Sequence, residues 1–344
     1  MNADMTVYKY IGISLVLFTL LSGCNSQQSE AGRIAPGAEW LDTQGNVINA
    51  HGGGILYHDG TYYWYGECKG DSTYLLDSVK TWECWRADAG GVSCYSSKNL
   101  VDWQFEGIVL PSRPNDLSSE LHPSQVIERP KVIYNDSTGK FVMWMHIESP
   151  DYEKAHAGVA ISDTPTGEFE YLGSFKPNGG DSRDQTVFKD EDGRAYHICS
   201  TDWNRTLSIS LLNREYTAPS GIRTLAFVEE SREAPAVFKH DGRYYMITSG
   251  CTGWDPNVAK WAVADSMLGE WTLMGNPCVG EGADKTYDSQ ITFVLPVEGQ
   301  NDAFIAMFDR WNKTDLINSR YVWLPLRFED GRPVVEWIDS WSIE

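Results

Sequence analysis

The stretch Ser231-Arg232-Glu233-Ala234-Pro235-Ala236-Val237-Phe238-Lys239-His240-Asp241-Gly242-Arg243-Tyr244-Tyr245-Met246-Ile247 decides the fold. Val237-Phe238 is a short apolar strand, His240-Asp241-Gly242 is a turn signal, and Tyr244-Tyr245-Met246-Ile247 is an aromatic and β-branched return strand. An acidic residue, Glu233, stands just ahead of the first strand.

The same design recurs four more times, and internal repeats of this kind outrank every local reading. His51-Gly52-Gly53-Gly54-Ile55-Leu56-Tyr57 turns at Asp59-Gly60 and returns as Tyr62-Tyr63-Trp64-Tyr65. Glu128-Arg129-Pro130-Lys131-Val132-Ile133-Tyr134 returns as Phe141-Val142-Met143-Trp144-Met145. Asp184-Gln185-Thr186-Val187-Phe188 returns as Ala195-Tyr196-His197-Ile198, and Gln290-Ile291-Thr292-Phe293-Val294 as Ala303-Phe304-Ile305-Ala306-Met307. A second, weaker strand pair follows each copy, for example Val92-Ser93-Cys94-Tyr95-Ser96 with Trp103-Gln104-Phe105-Glu106. Four strands repeated five times predict an all-β, five-bladed β-propeller. A repeat spacing of roughly 50 to 75 residues suits blades carrying loop insertions better than a thin solenoid.

In a propeller the first strand of each blade lines the central channel, so the residues opening those strands converge at one end of the axis. That ring is expected to hold His51, Glu128, Asp184, Glu233 and Gln290. Gathered carboxylates raise the pKa of at least one member, which keeps an acid protonated near neutrality. A protonated carboxylic acid for the leaving oxygen, with a second group for water, is what glycoside hydrolysis requires. Trp64, Trp144, Trp203, Trp254 and Trp311, on the inner strands' return strands or in the adjoining loops, are candidates for stacking on sugar faces, although blade packing explains each one taken alone.

The formal net charge of −20, from 28 basic and 48 acidic residues, argues against nucleic acid or anionic lipid as partner. The apolar run at residues 11–21 is too short for a spanning helix of about 20 residues and suits a signal-peptide core. Leu21-Ser22-Gly23-Cys24 resembles a bacterial lipobox, so residues 1–24 are expected to form a lipoprotein signal ending at a lipidated Cys24. Residues 25–38 read as a flexible tether and residues 39–344 as one catalytic domain. Export as a periplasmic or outer-membrane lipoprotein follows, with membrane attachment only through the lipid and the protein acting as a monomer. An exported location permits disulfides, and Cys68 with Cys84 is the first pairing considered. The polar segment at residues 111–123 is expected to wall one side of a cleft. No C-x-x-C pair or histidine cluster marks a metal site, and no cofactor is required.

Several motifs together resemble glycoside hydrolase family 43, in its galactan- and arabinogalactan-directed branches. They are Asn49-Ala50-His51-Gly52-Gly53-Gly54, Tyr63-Trp64-Tyr65-Gly66-Glu67, Glu128-Arg129-Pro130-Lys131-Val132, Ser182-Arg183-Asp184 and Arg232-Glu233-Ala234-Pro235. Ser249-Gly250-Cys251-Thr252-Gly253-Trp254 and Arg320-Tyr321-Val322-Trp323-Leu324-Pro325 continue the match. The resemblance implies a five-bladed propeller and single-displacement, inverting hydrolysis. It also implies that Glu233 is the general acid and Asp184 the carboxylate that orients it. The family's usual Asp at the start of the first inner strand is His51 here. The base is therefore sought in Glu128, with Gln290 as an alternative able only to position the water unless it takes an unusual amide tautomer, and Glu67 third. Gln290, Glu67, His51, Trp254 and Trp144 are expected to contact substrate, with His51 either bonding a sugar hydroxyl or filling the channel. A central cation, found in some relatives, stays open.

His-Gly-Gly-Gly also invites comparison with an esterase oxyanion loop, but the sequence contains no G-x-S-x-G nucleophile elbow. The glycines are read instead as letting the first inner strand pass close to the substrate or the axis. The expected function is exo-acting hydrolysis of a galactose-containing plant glycan, with β-1,3-galactan first. α-L-Arabinofuranosidase or β-galactofuranosidase activity is the nearest rival, and a non-catalytic glycan-binding lipoprotein is the rival from another class.

Overall fold

Asp-Gly pairs close three of the tightest hairpins. Asp59-Gly60, Asp241-Gly242 and Asp330-Gly331 each form a two-residue loop with φ of 47° and 71°, 48° and 74°, and 50° and 75°. Positive φ at both positions is the twist that a short antiparallel connection needs. The computed structural model describes residues 32–343. The expected signal segment and Cys24 lie outside the described residues.

Five sheets follow one another along the chain, antiparallel except for one short outer pair in the last. The first blade is β1 (His51–His58), β2 (Thr61–Leu75), β3 (Trp85–Ser97) and β4 (Gln104–Pro111). The second is β5 (Val126–Asn135), β6 (Lys140–Glu148), β7 (His156–Ser162) and β8 (Glu170–Phe175). The third is β9 (Gln185–Lys189), β10 (Ala195–Thr201), β11 (Thr206–Leu212) and β12 (Pro219–Ala226). The fourth is β13 (Arg232–His240), β14 (Arg243–Gly250), β15 (Lys260–Ala264) and β16 (Thr272–Leu273). In the fifth, β17 (Cys278–Val279) pairs in parallel with β21 (Arg332–Glu336), outside β18 (Gln290–Pro296), β19 (Phe304–Arg310) and β20 (Arg320–Glu329).

The inner strands β1, β5, β9, β13 and β18 touch in that order, and β18 returns to β1. The ring is closed, and the chain is a five-bladed β-propeller. Its core is divided among the seams between blades, with an apolar cluster at each. Alternate strand faces turn toward the two neighbouring blades, which is how short twisted sheets bury both sides. At the closing seam, Trp323 of β20 lies 4.8 Å from Trp64 of β2 and 4.9 Å from Trp40, ring centre to ring centre.

Three details differ from the sequence expectation. The globular part begins before residue 39: Ile34 is 3% exposed, pairs with Trp341, and sits in the closing-seam cluster. Cys84 is bonded to no other cysteine, so the bridge considered with Cys68 does not form. Residues 111–123 pack on the second blade instead of walling the cleft. Their anchor is Glu120, which accepts hydrogen bonds from Tyr171 Oη at 2.7 Å and Ser174 Oγ at 2.6 Å.

Of the glycines of β1, Gly54 lies against the channel as the sequence reading holds, whereas Gly53 is crowded by the backbone of β2 in its own blade. A Cβ on Gly53 would stand 1.9 Å from the Tyr65 carbonyl oxygen, and one on Gly54 would stand 2.7 Å from Lys131 Cδ. Lys131 fills the channel beside this strand, is 2% exposed, and donates to the Gly52 carbonyl at 2.7 Å. Because the obstacle at Gly53 is backbone, Gly53→Ala is expected to destabilise the protein by about 2 kcal/mol or more. A lowered midpoint in urea unfolding checks this, and an unchanged midpoint contradicts it.

Candidate active site

Three inner strands carry the same irregularity at the same place. Pairing with the second strand of the blade slips between His51 and Gly54, between Glu128 and Lys131, and between Glu233 and Ala236. The residue after each slip-point side chain has left-handed backbone: Gly52 at φ 58°, Arg129 at 53° and Ala234 at 51°. This conformation costs a non-glycine residue about 1–3 kcal/mol and is held only where surrounding structure over-determines it. A β-bulge bends its strand and re-aims a side chain. Here it turns Glu128 and Glu233 toward the end of the axis. Asp184 immediately precedes β9 and Gln290 opens β18 at the same end.

These residues line a cavity of about 640 Å³, together with Glu67, Arg129, His146, Tyr152, Trp203, Asn204, Trp254 and Trp311. Its carboxylates differ in the partners they are given. Asp184 receives both Nε and Nη2 of Arg129, at 3.1 and 3.0 Å. Glu67 accepts the Arg129 backbone N–H at 2.9 Å and pairs with Lys69 at 2.5 Å. Glu128 accepts Tyr152 Oη at 2.8 Å and stands 3.2 Å from His146 Nδ1.

Glu233 is the exception. Gln290 Nε2 donates to its Oε1 at 3.1 Å and Asn204 Nδ2 to its Oε2 at 3.2 Å, both of them neutral groups. Burial, and then the charge of Asp184, push its pKa up to about 8. For Glu128, burial pulls upward but is outweighed by His146, Lys69 and Tyr152, which bring its pKa down to about 2. His146 is buried, which opposes its charge. Its contacts with Glu128 and with Glu148, 3.5 Å from Nε2, nevertheless raise it to about 9. Glu148 passes on to Arg183 Nη1 at 3.1 Å. One cavity therefore contains a carboxyl that keeps its proton and another that sheds it, which is the arrangement acid–base chemistry at neutral pH requires.

Gln290 is fully engaged. Besides its two donations, to Glu233 and to Ser249 Oγ at 2.9 Å, its Oε1 accepts from Arg129 Nη2 at 2.5 Å and from Trp311 Nε1 at 3.0 Å. Trp254 lines the wall, edge-on to Trp311 at 5.2 Å, with its Nε1 donating to the Trp85 carbonyl at 3.0 Å. Of the residues expected from sequence, the cavity thus collects Glu67, Glu128, Asp184, Glu233, Gln290 and Trp254.

His51 and Trp144 are not part of the cavity lining. His51 is fully buried, stacked on Tyr321 at 5.0 Å and 3.4 Å from Asp309 Oδ1. Of its two readings, channel filling describes its place. Trp144 is also fully buried, stacked on His197 at 4.5 Å and donating to the Tyr216 carbonyl at 2.7 Å, and is therefore blade packing. Sequence reasoning gave no role to Arg129, His146, Tyr152 or Asn204, whereas Trp203 and Trp311, two of its stacking candidates, do line the cavity. Arg129 had a signal, since an arginine next to a channel-facing glutamate is buried among acids; the others reach the site from loops or second strands.

Among the described residues, Glu128, His146 and Asp184 offer ligand atoms within 4.8 Å of one another. A histidine with two carboxylates suits a divalent ion in principle. These three do not fit one well, because Asp184 is committed to both arms of Arg129 and His146 stands between two glutamates.

The model of glycosyl hydrolases family 43 matches residues 53–290. Among solved structures, a β-1,3-galactosidase of family GH43 with galactodeoxynojirimycin is 41% identical, with a TM-score of 0.84 over 90% of this chain and 100% of that one. An exo-β-1,3-galactanase variant from Phanerochaete chrysosporium with β-1,3-galactotriose is 37% identical, TM-score 0.81, over 91% of this chain and 68% of that one. The exo-β-1,3-galactanase of Clostridium thermocellum is 41% identical, TM-score 0.79, over 90% and 66%. A search among curated proteins gives no match.

The proton of Glu233 is directly observable. In ¹³C-labelled protein its carboxyl resonance is expected to titrate near pH 8, far above free glutamate. Asp184→Asn removes the negative neighbour and leaves Arg129 uncompensated, so both changes favour the ionised form and the transition moves to lower pH. A transition that stays in place would show that Asp184 does not act on Glu233.

Proposed function

We propose, from the premise that the chain belongs to glycoside hydrolase family 43, that it is an inverting, exo-acting β-1,3-galactanase. The observation that carries this is the unequal pair of carboxyls in one cavity. Glu233 is bonded by the neutral amides of Gln290 and Asn204, and burial and Asp184 hold its pKa up. Glu128 is bonded by Tyr152 and stands beside His146, which hold its pKa down against burial. Glu233 gives its proton to the departing glycosidic oxygen. Asp184 raises the pKa of that acid, and Arg129 holds Asp184 in place. Glu128, ionised, takes a proton from the water that attacks the opposite face of the sugar. Gln290 is less suited to that role, since its amide is 3.1 Å from the acid and has all four of its hydrogen bonds in use.

Exo action is supported by the arm formed where β2 and β3 run past the blade. Trp82 at its tip packs edge-on to Tyr152 of the second blade at 5.3 Å. On the other side it lies against Gly253 of the fourth blade. The arm thus crosses the mouth, which accepts a chain end more readily than a continuous strand of polysaccharide. Galactose specificity rests on the likeness to the galactosidase and galactanase structures. Lipid attachment at Cys24 belongs to the same proposal, supported by Leu21-Ser22-Gly23-Cys24; a Cys24→Ala protein that still partitions with membranes would count against it.

The test uses purified protein on β-1,3-galactan, aryl β-galactosides and aryl α-L-arabinofuranosides. Galactose release as the α-anomer is expected, with a loss of about 10²- to 10⁴-fold in Glu233→Gln. Glu128→Gly should lose hydrolysis and recover turnover with azide, giving α-galactosyl azide. Arabinose as the main product would move the activity to the neighbouring specificity, and binding without release would make the protein a lectin. Full hydrolysis by Glu128→Gly would remove that residue as the base.

A further inference from the structure

The turn joining β10 to β11, Asp202-Trp203-Asn204, carries an aromatic face beside the acid. All three residues have left-handed backbone, at φ 52°, 54° and 62°, although none is glycine. Arg205 fastens the turn, its Nη2 donating to the Asp202 carboxylate at 2.7 Å and its Nε to the Asp202 carbonyl at 3.2 Å. Trp203 is 60% exposed and still lines the cavity.

One face of Trp203 is already taken. Arg183 Cζ lies 4.6 Å from the ring centre, and Arg183 is itself fixed by Glu148 Oε2 at 3.1 Å and the Tyr152 carbonyl at 2.9 Å. A ring held on one side by an immobile cation is a rigid platform on the other. Asn204 sets the direction of that platform. Its Nδ2 donates to Glu233 Oε2 at 3.2 Å, while its Oδ1 is buried without a partner. Glycoside cleavage places the acid against the leaving oxygen, so whatever lies beyond that oxygen must extend along the acid's open side. The turn that touches Glu233 through Asn204 borders the same cavity, with Trp203 beside the acid.

We infer that Trp203 is the stacking platform for the leaving galactose unit, with Asn204 Oδ1 accepting one of its hydroxyls. This rests on the galactanase reading above and adds the site for the departing sugar. A galactopyranose suits an indole, because its axial 4-hydroxyl gathers the ring C–H groups on the opposite face into one apolar patch.

The experiment compares two substrates that share the transferred sugar. β-1,3-Galactobiose has a leaving galactose to stack, whereas β-galactosyl fluoride has none. Trp203→Ala is expected to lower kcat/KM on the disaccharide by about 30-fold, as loss of a buried tryptophan contact does. The loss on the fluoride should be smaller by about an order of magnitude, since no stacked sugar is lost. Trp203→Phe should recover most of the disaccharide activity. Equal losses on both substrates would mean that the turn merely supports Glu233, and an undiminished disaccharide rate would remove the platform outright. Failure of the galactanase reading looks different: wild-type protein would release galactose from neither substrate, and the platform would fall with it.

Discussion

The site depends on how few cations are shared among many buried acids. Arg129 binds Asp184 with two parallel hydrogen bonds, holds the Gln290 amide oxygen, and lends its backbone N–H to Glu67. Lys69 serves Glu67 and His146 serves Glu128. Among the described residues Glu233 has no cation in contact, only the amides of Gln290 and Asn204 and the Cys251 thiol. Ionising an acid there would add an unpaired buried charge, so the acid stays neutral. Its role thus follows from what its neighbours lack as much as from what they supply.

The scaffold was legible because its signals are local and repeated. The Asp-Gly turns at residues 59, 241 and 330 specify hairpins through backbone geometry alone, and an acid or amide at the head of successive inner strands marks the ring. The residues that complete the site come from elsewhere in each blade. His146 lies on β6 directly across from Glu128, a pairing fixed by the register of the β5–β6 hairpin. Asn204 comes from a β10–β11 turn whose strained backbone no composition rule announces, although its neighbour Trp203 stood among the stacking candidates. Trp144 and Trp254 look alike in sequence, and only burial separates a core ring from a wall of the cavity. The Cys68 and Cys84 pairing failed for a similar reason. The two residues flank an extended β2–β3 arm, and proximity along the chain does not bring their sulfurs together.

The first blade shows how a missing acid is replaced. His51 pairs across its hairpin with Glu67, and the slip at Gly52 opens the space that Glu67 enters. A Cβ on Gly52 would stand 2.1 Å from Glu67 Oε1. The blade therefore contributes a carboxylate from its second strand, while its first contributes a histidine to the packing beneath. The absent aspartate does not leave a gap in the ring.

The repeated bulge has a consequence for how such a ring can change over evolutionary time. At Glu128 and Glu233 the direction of the carboxyl is set by the kink behind it, and the β-ladder on either side carries the load of folding. Chemistry and architecture are thus written in separate residues. Exchange of one side chain at a kink alters what the molecule does to its substrate, and the strand order, the seams and the closure of the wheel need not respond. Innovation in this scaffold can proceed at the kinks, with any cost confined to the buried partners of the exchanged side chain.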